Sequence, residues 1–544
     1  MACIKLRGEC TIACTLVSGL KWAHIIAEYA LFVLINYLTN TWGLGFAHAA
    51  GIINLFFGIS KVLEISFAFM ADAYLGIFKM LLLSSLVYSI GLAFLTMSTP
   101  PVLSNFAGNC SRYEAECVGP IQKAFFFTSL VLMGVGMAGK AVSLDAYLRR
   151  YQTPGDDNSN DLNNQQVDDE EEDGFWSVNN LLVIGISVVA ALALSNIKPW
   201  DIKFAVPAVF SFTATLVFFA GKELGFYSNY GDKPEGSALT TVLRVLVAAT
   251  YKSCHKLPAN SAQLYQGNHN FAERLTHTDD GCGCFDKAAI ESPTKRAENK
   301  WKVCTVTEVE ETKQTVKTAI VWPPIIICGL VSSIGNTFFV VQAAKMNHKI
   351  GKWQFPTTIL LLLPKAAKYA TLAGCKYAFK STRLKLLAES SEFGSMIGPI
   401  YAMINTVMCC LFAALVETAR RHHIDHDETM SIFWLIPQFY ALINVDATFH
   451  ESVKAFFKTN AAPSMKKYAL HLTQFVWGIG EALSLVSVLA CKKWFNNDVD
   501  QSRLDKYYWT LTALTALAFI CYLLLVIRSL VRCIFKLIID YNMG

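Results

Sequence analysis

Apolar residues gather into twelve runs of membrane-spanning length, six on each side of a polar stretch at 222–316. A run of roughly 17 to 25 residues is the length that an α-helix needs to cross a hydrocarbon layer about 30 Å thick. The pattern predicts an all-α membrane protein with twelve transmembrane helices in two six-helix bundles. The runs lie near 17–39, 46–70, 78–97, 124–146, 176–195, 203–220, 318–343, 355–377, 396–416, 430–449, 468–490 and 507–531.

The polar stretch divides the chain into an N-terminal bundle (1–221), a linker (222–316) and a C-terminal bundle (317–544). Lys and Arg are more frequent on the side shared by the termini and the linker, so this side is predicted to be cytosolic. Two six-helix halves around a connector predict a secondary transporter whose site lies between the halves, near mid-membrane. Helical spacing also predicts an amphipathic helix at 301–317 from Glu308, Glu310, Glu311 and Lys313.

Composition excludes an ordinary soluble enzyme, because 53% of the 544 residues are apolar and 16% are charged. The net charge of +5 is small for this length and gives no argument for nucleic acid. We find no nucleophile and base pair, phosphate loop or metal-ligand cluster, so neither an enzyme nor a metal or other cofactor is expected. The expected partners are a small solute, the lipid bilayer and a proton as coupling ion, with a monomer in the plasma or vacuolar membrane.

A loop between the third and fourth runs holds two competing signals. Cys110 and Cys117 lie on the predicted non-cytosolic side, where a disulfide is permitted. Asn109 opens an Asn-Cys-Ser triplet that matches the glycosylation pattern. Both alternatives remain open from the sequence.

Ionisable residues inside the first four runs are the first candidates for function. An ionised side chain at the bilayer centre costs at least about 2.5 to 3.5 kcal/mol, so it normally faces the bundle interior and has a partner. His24 and Glu28 are one turn apart and can share a proton, or be a structural pair. Lys61 and Glu64 are three apart, which favours a structural pair. Lys140 has no acid within one turn, which favours a cavity role.

The second half has its own buried charges. Lys365 and Lys368 lie on one face midway along the eighth run, and two cations at that depth need anions. Asp446, Glu481 and Glu28 are candidate counter-ions or proton carriers, and an anionic solute is the alternative. These lysines therefore favour an anionic or carboxylate-bearing substrate.

Amides and aromatic rings in the runs are weaker candidates. Asn336 and Gln342 attract interest because a buried amide must find a hydrogen-bond partner. Hydrogen bonds between helices are the simpler explanation, as they are for Asn405 and Gln438. Rings such as Tyr88 and Trp477 more often pack than line a pocket.

The loop after the second run resembles a signature of the major facilitator superfamily. That signature is Asp-x-x-Gly-Arg, in which a carboxylate caps a helix end and a glycine permits a tight turn. Asp72 and Gly76 match it, whereas Ile77 stands in place of the arginine. The resemblance implies a gating or structural role for Asp72 and Gly76, without the arginine's part of the charge lock.

Further segments resemble the plant nitrate/peptide transporter family, a branch of the proton-dependent oligopeptide transporters. This resemblance implies the major facilitator fold, both termini in the cytosol, and transport of nitrate, small peptides, hormones or specialised metabolites, usually with protons. The matching segments are FDKAA at 285–289, WKVCTVTEVEE at 301–311, TFFVVQA at 337–343, MSIFWLIPQ at 430–438 and LDKYYW at 504–509.

The first run departs from that family's Glu-x-x-Glu-Arg pattern. Leu20, Ala23 and His24 stand at those positions, so the proton motif is absent. The family's lysine in the fourth run is kept approximately as Lys140, and Asp446 lies at or beside an acidic position of the tenth run. The leading hypothesis is a transporter working by alternating access; the alternative is a non-transporting receptor or scaffold of the same fold.

Overall fold

The structure is a computed structural model that describes residues 2–102, 112–152, 178–227, 236–253, 283–290, 301, 303–350, 353–354, 392–426 and 428–543. Within these residues the fold is all-α, apart from the two-residue antiparallel strands β1 (Lys349–Ile350) and β2 (Trp353–Gln354). The α-helices in chain order are α1 (Ala2–Phe32), α2 (Leu34–Asn40), α3 (Phe46–Met70), α4 (Ile77–Met97), α5 (Pro120–Gln152), α6 (Val178–Asn196), α7 (Trp200–Glu223), α8 (Ala238–Tyr251), α9 (Val306–Thr318), α10 (Trp322–Ala344), α11 (Glu392–Asp425), α12 (Ile436–Asn460), α13 (Ala469–Ala490) and α14 (Leu504–Met543).

Ten segments of the described chain are long and apolar enough to cross a membrane, and they coincide with ten of the twelve predicted runs. Helix α6 occupies the fifth run. The eighth run, 355–377, lies outside the described residues. The predicted all-α, multi-pass membrane fold is confirmed.

The turn between α3 and α4 has the geometry that the sequence predicts. Helix α3 widens into a π-helical turn at Ala71–Leu75, and Gly76 follows with φ of +76°. Only glycine adopts this left-handed backbone at no steric cost. The chain therefore reverses direction at Gly76 and enters α4 at once.

Helices α1 to α7 form the first half of the molecule, and α10 to α14 form the described part of the second half. In the first half α4 packs against α5 and α7, and α1 packs against α6 and α7. In the second half α11 packs against α12 and α14, while α13 packs against α10. Among the described helices, the most extensive contact between the halves joins α3 to α13.

The linker contains a small folded unit of its own. Helix α8, the 3-10 helix Gly283–Ala289 and α9 enclose buried apolar side chains such as Val245 and Val309. Helix α9 begins with a capping box in which Thr305 and Glu308 satisfy each other's backbone N–H groups. It occupies the stretch in which charge spacing predicts an amphipathic helix.

Polar contacts hold this unit together and anchor it to the bundle. Lys313 of α9 lies 2.5 Å from Asp286 of the 3-10 helix, and Arg244 of α8 lies 3.2 Å from Glu308. Ser464, in the turn before α13, donates a hydrogen bond of 2.6 Å to Glu311. The linker is therefore attached to the same end of the molecule as the α12–α13 turn.

In the loop after α4, Cys117 is disulfide-bonded, as the first of the two alternatives predicts for this residue. Asn109 and Cys110 lie outside the described residues.

Candidate functional site

Lys140 is the centre of an ionic cluster in the first half. Its side chain is 2% exposed, and its Nζ lies 4.7 Å from the centroid of the Tyr88 ring. Within the described residues, Nζ has no hydrogen-bond partner and no carboxylate at salt-bridge distance. Gly136 permits this approach, because a Cβ there would lie 2.7 Å from the backbone of Tyr88. The ring face therefore provides a cation–π contact in place of a counter-ion.

Helix α1 contributes two further members of this cluster. The imidazole of His24 has its centroid 5.7 Å from that of the Tyr88 ring. Glu28, one turn later, acts electrostatically on the Tyr88 hydroxyl, and both side chains are half-buried. Tyr88 thus joins three residues that the sequence singled out separately; we call His24, Glu28, Tyr88 and Lys140 the N-half cluster.

A second cluster lies where α3 meets α13. Lys61 Nζ donates to Glu481 Oε1 at 2.5 Å, and Trp477 Nε1 donates to the same oxygen at 2.9 Å. Glu481 is 4% exposed. The predicted pairing of Lys61 with Glu64 is wrong: Glu64 instead lies 3.7 Å from His471 of α13. Both α3 charges point across the interface between the halves, because their common face meets α13.

Helix α12 brings a histidine and an acid to the same place. Asp446 lies 3.4 Å from His450 one turn later, and the His450 ring is tilted at 43° to the Trp477 ring, with the ring centroids 4.6 Å apart. Asp446 also acts electrostatically on Glu481. Sequence reasoning missed His450, although its spacing from Asp446 repeats that of His24 and Glu28. We call Lys61, Asp446, His450, Trp477 and Glu481 the interface cluster.

Asp72 closes the interface at the end that carries the linker. It lies 2.9 Å from Lys467 and accepts a hydrogen bond from Tyr468, both immediately before α13. The Ser237 hydroxyl lies 2.8 Å from the same phenol oxygen. Helix capping by Asp72 is not observed, since Gly76 precedes α4. The charge lock that Ile77 cannot make is made instead by Lys467 of the other half.

The pattern of helices and charges agrees with comparisons to known proteins. The family model described as "PTR2: POT family" matches residues 184–509, which is more than half of the chain. The chain belongs to the POT family. This is a family of transporters, so the expected class of protein is confirmed at that level.

Relatives of this POT-family chain extend the match over almost its whole length. Protein NRT1/PTR FAMILY 5.5 of Arabidopsis thaliana is 31% identical, covering 94% of this chain and 96% of the relative. Protein NRT1/PTR FAMILY 5.6 of the same plant is 26% identical, covering 98% and 92%. The resemblance to plant nitrate/peptide transporters is therefore confirmed.

Solved structures agree in fold at low sequence identity. An auto-inhibited POT family peptide transporter has a TM-score of 0.64 at 15% identity, covering 94% of this chain and 96% of that one. A POT family transporter solved with 5-aminolevulinic acid has a TM-score of 0.62 at 10% identity, covering 95% and 96%. These likenesses establish the fold alone.

The POT-family chain also holds a buried polar network at the opposite end of α10 from the linker. Arg420 makes a bidentate pair with Glu417 at 2.8 Å for each bond, and both side chains are at most 3% exposed. Gln342 donates to Glu417 at 2.7 Å and accepts from Gln438 at 3.2 Å. Gln342 therefore holds helices together, as the simpler explanation predicts. Sequence reasoning missed this pair because the ninth run was ended at 416, whereas the helix continues to Asp425 and includes both residues.

The remaining candidates separate from the clusters. Asn336 is exposed on an otherwise mostly buried helix, and its amide donates to Ser332 of the same helix at 3.3 Å. The expectation that Asn336 is a buried amide is wrong. Lys365 and Lys368 lie outside the described residues, and their proposed counter-ions stay a prediction.

Proposed function

We propose that this POT-family protein is a secondary transporter for a small anionic or carboxylate-bearing solute. The observation that carries the proposal is Lys140: a nearly fully buried ammonium group that faces an aromatic ring and has no carboxylate at salt-bridge distance among the described residues. Nitrate, a peptide, a hormone or a specialised metabolite meets this requirement if it presents an anionic group.

An unpaired cation is costly to bury, so its retention needs a reason. A solute anion supplies the missing counter-charge when it binds, and the desolvation already present strengthens the attraction. The Tyr88 ring face contacts the ammonium group without accepting a conventional hydrogen bond from it. His24 and Glu28 then supply a donor and an acid near the same solute.

Known relatives support the charge of the solute. Two solved POT structures of this fold hold 5-aminolevulinic acid and sulfate, respectively, and both molecules carry anionic groups. The plant relatives are named as members of the NRT1/PTR family.

Movement of the solute follows by alternating access, in which the two halves rock about the α3–α13 contact. Coupling to protons requires acids that gain and lose a proton between the halves. Glu28, Asp446 and Glu481 are the candidates, since the Glu-x-x-Glu-Arg pattern is missing at Leu20 and Ala23. The plasma membrane and the vacuolar membrane both suit this activity.

The test is uptake into proteoliposomes with nitrate, 5-aminolevulinic acid and dialanine as probes, with and without an imposed pH gradient. We expect saturable uptake of at least one probe that carries a negative group, raised by an inward proton gradient. Lys140→Met removes the buried charge, and Lys123→Met on the exposed part of α5 is its matched control.

Uptake that persists in Lys140→Met would contradict the anion site. Uptake that ignores the gradient would leave facilitated diffusion and remove proton coupling. If no probe is taken up and none raises the melting temperature, the result would support the receptor or scaffold alternative. Membership of the family does not favour that alternative. A tagged copy imaged in plant cells decides between the two membranes.

A further inference from the structure

Helix α13 packs closely against α3 of the first half on one face and against α10 of its own half on the other. A Cβ on Gly58 of α3 would lie 2.7 Å from the backbone nitrogen of Ala482. A Cβ on Gly480, on the other face of α13, would lie 2.2 Å from the carbonyl oxygen of Ile326 in α10. The backbones of α3, α13 and α10 therefore lie in close contact at this level.

Glu481 is buried at this contact, and its two carboxylate oxygens have different surroundings. Oε1 accepts from Lys61 across the halves and from Trp477 one turn back. Oε2 is buried and has no hydrogen-bond partner among the described residues. An ionised carboxylate leaves that oxygen unsatisfied, whereas a protonated one carries its proton there. The geometry holds one oxygen for the lysine and leaves the other for a proton.

The charged groups that face Glu481 come from two neighbouring helices. Helix α3 presents Lys61, with Glu64 a turn further on and paired to His471. Helix α12 presents Asp446 and His450, and the Asp446 side chain is 45% exposed. Helix α10 carries no Asp, Glu, Lys, Arg or His between Trp322 and Ala344. Lys61 is thus the cation that faces Glu481 among the described residues, and Asp446 is the most exposed of these charged neighbours.

We propose that Glu481 is the proton-binding site that couples proton movement to the opening of the two halves. The step moves one proton from water, through Asp446 or His450, onto Glu481 Oε2. The carboxylate becomes a neutral acid, Lys61 keeps its own proton, and the ionic tie between α3 and α13 is lost. Release of the proton restores the tie. This inference rests on the proposed function, because it concerns the same transporter cycle.

A purely structural role for the pair is the competing explanation. A structural pair holds α3 to α13 at every pH, and its removal lowers stability without altering the response to a gradient. A coupling pair changes protonation within the pH range in which uptake responds to pH. The two explanations therefore differ in titration and in gradient response, not in the contact itself.

The first measurement needs no solute. Infrared difference spectra of the purified full-length protein, recorded across acid and neutral pH, report the carbonyl stretch of protonated carboxyl groups. We expect the wild type to show a carbonyl band that titrates with pH, and we expect this band to be absent from Glu481→Gln. The control is Glu417→Gln, a matched change at a buried carboxylate that pairs with Arg420, and it should keep the band. A band that is unchanged in Glu481→Gln would overturn the proposal.

The second measurement is uptake of nitrate, 5-aminolevulinic acid and dialanine into proteoliposomes. We expect a proton gradient to have no effect on solute uptake by Glu481→Gln, a ratio of about one with and without the gradient. Exchange of solute across the membrane at equal pH should continue. Glu417→Gln should keep the wild-type stimulation ratio. Gradient-driven uptake that survives in Glu481→Gln would overturn this inference and leave the proposed function intact. Wild-type uptake that a proton gradient does not stimulate would overturn this inference and also the proton coupling in the proposed function.

If Glu481→Gln does not fold, Lys61→Gln provides the second variant. Without the lysine the buried carboxyl has no counter-charge, so we expect its band to be present already at neutral pH. A band that still titrates as in the wild type would show that Lys61 does not control the proton, and would overturn the proposal.

Discussion

Lys61 and Lys140 are both lysines inside the bundle, and the protein treats them in opposite ways. Lys61 is held by Glu481 at 2.5 Å, and that carboxylate belongs to the other half. Lys140 is 2% exposed and faces the Tyr88 ring, with no carboxylate at salt-bridge distance among the described residues. The first lysine has a fixed counter-charge from the protein, while the second lacks one. We infer that the paired lysine controls the contact between halves and the unpaired one receives the solute.

The contrast also separates stability from function. Removing one partner of a buried ion pair leaves the other charge uncompensated, which is strongly destabilising. Removing an already uncompensated charge takes away a cost. The same chemical change, lysine to methionine, is therefore expected to have opposite effects on stability at the two sites.

The largest effect is expected at the paired lysine. Lys61→Met leaves Glu481 buried without a counter-charge, and we expect the free energy of unfolding to fall by about 3–5 kcal/mol. The double change Lys61→Met with Glu481→Met should recover most of this loss. Denaturation in mixed micelles measures all three variants, with Lys454→Met, whose partner is 3.9 Å away and half exposed, as control. Equal losses in the single and double variants would contradict the pair.

The unpaired lysine should give the opposite sign for stability. Lys140→Met is expected to lower solute uptake at least about tenfold, the loss of one charge-assisted contact. Its free energy of unfolding should rise by roughly 1–3 kcal/mol, because a costly buried group is gone. Uptake and thermal unfolding of the same preparation measure both. A fall in stability would mean that Lys140 has a partner that stabilises it in the protein.

A third variant extends the comparison to the end that carries the linker. Tyr468→Phe removes the hydrogen bond that the phenol donates to Asp72 and its contact with Ser237, while Lys467 stays in place. We expect a loss of about 1–2 kcal/mol, since hydrogen bonds to charged groups contribute about 1.5–3 kcal/mol when buried and this one is partly exposed. Tyr440→Phe, on an exposed part of α12, should change stability by less than about 0.5 kcal/mol.

The smallest effect is expected at an exposed pair. The hydrogen bond from Lys345 holds the pKa of Asp498 below its usual range. Because the folded pKa is lower than the unfolded value of about 3.9, this stabilisation is present above that value and is lost as the pH falls through the folded pKa. Asp498→Asn should remove this acid-dependent part of the free energy of unfolding. At neutral pH it should lower the free energy of unfolding only slightly. High salt should reduce the difference, as for other exposed pairs.

Much of the fold followed from the chain alone. Twelve runs, the polar linker and the glycine turn at Gly76 were all predicted, and the family was identified from matching segments. Solubility in a bilayer is a property of about twenty consecutive residues, so it can be assessed without knowing what lies next to them. Candidate residues such as Glu481 and Lys140 were found by the same argument, because a charge inside an apolar run is costly anywhere in the fold.

The partners of those charges were decided only by the tertiary structure. Helical spacing places Lys61 and Glu64 on one face, and the sequence paired them with each other; in the fold that face meets α13, and Lys61 pairs with a residue 420 positions away. Spacing likewise gave no sign that the Tyr88 ring would face Lys140, or that His450 would contact Trp477. A periodic pattern reports which residues share a face, whereas the identity of the opposing helix depends on how all the helices pack together.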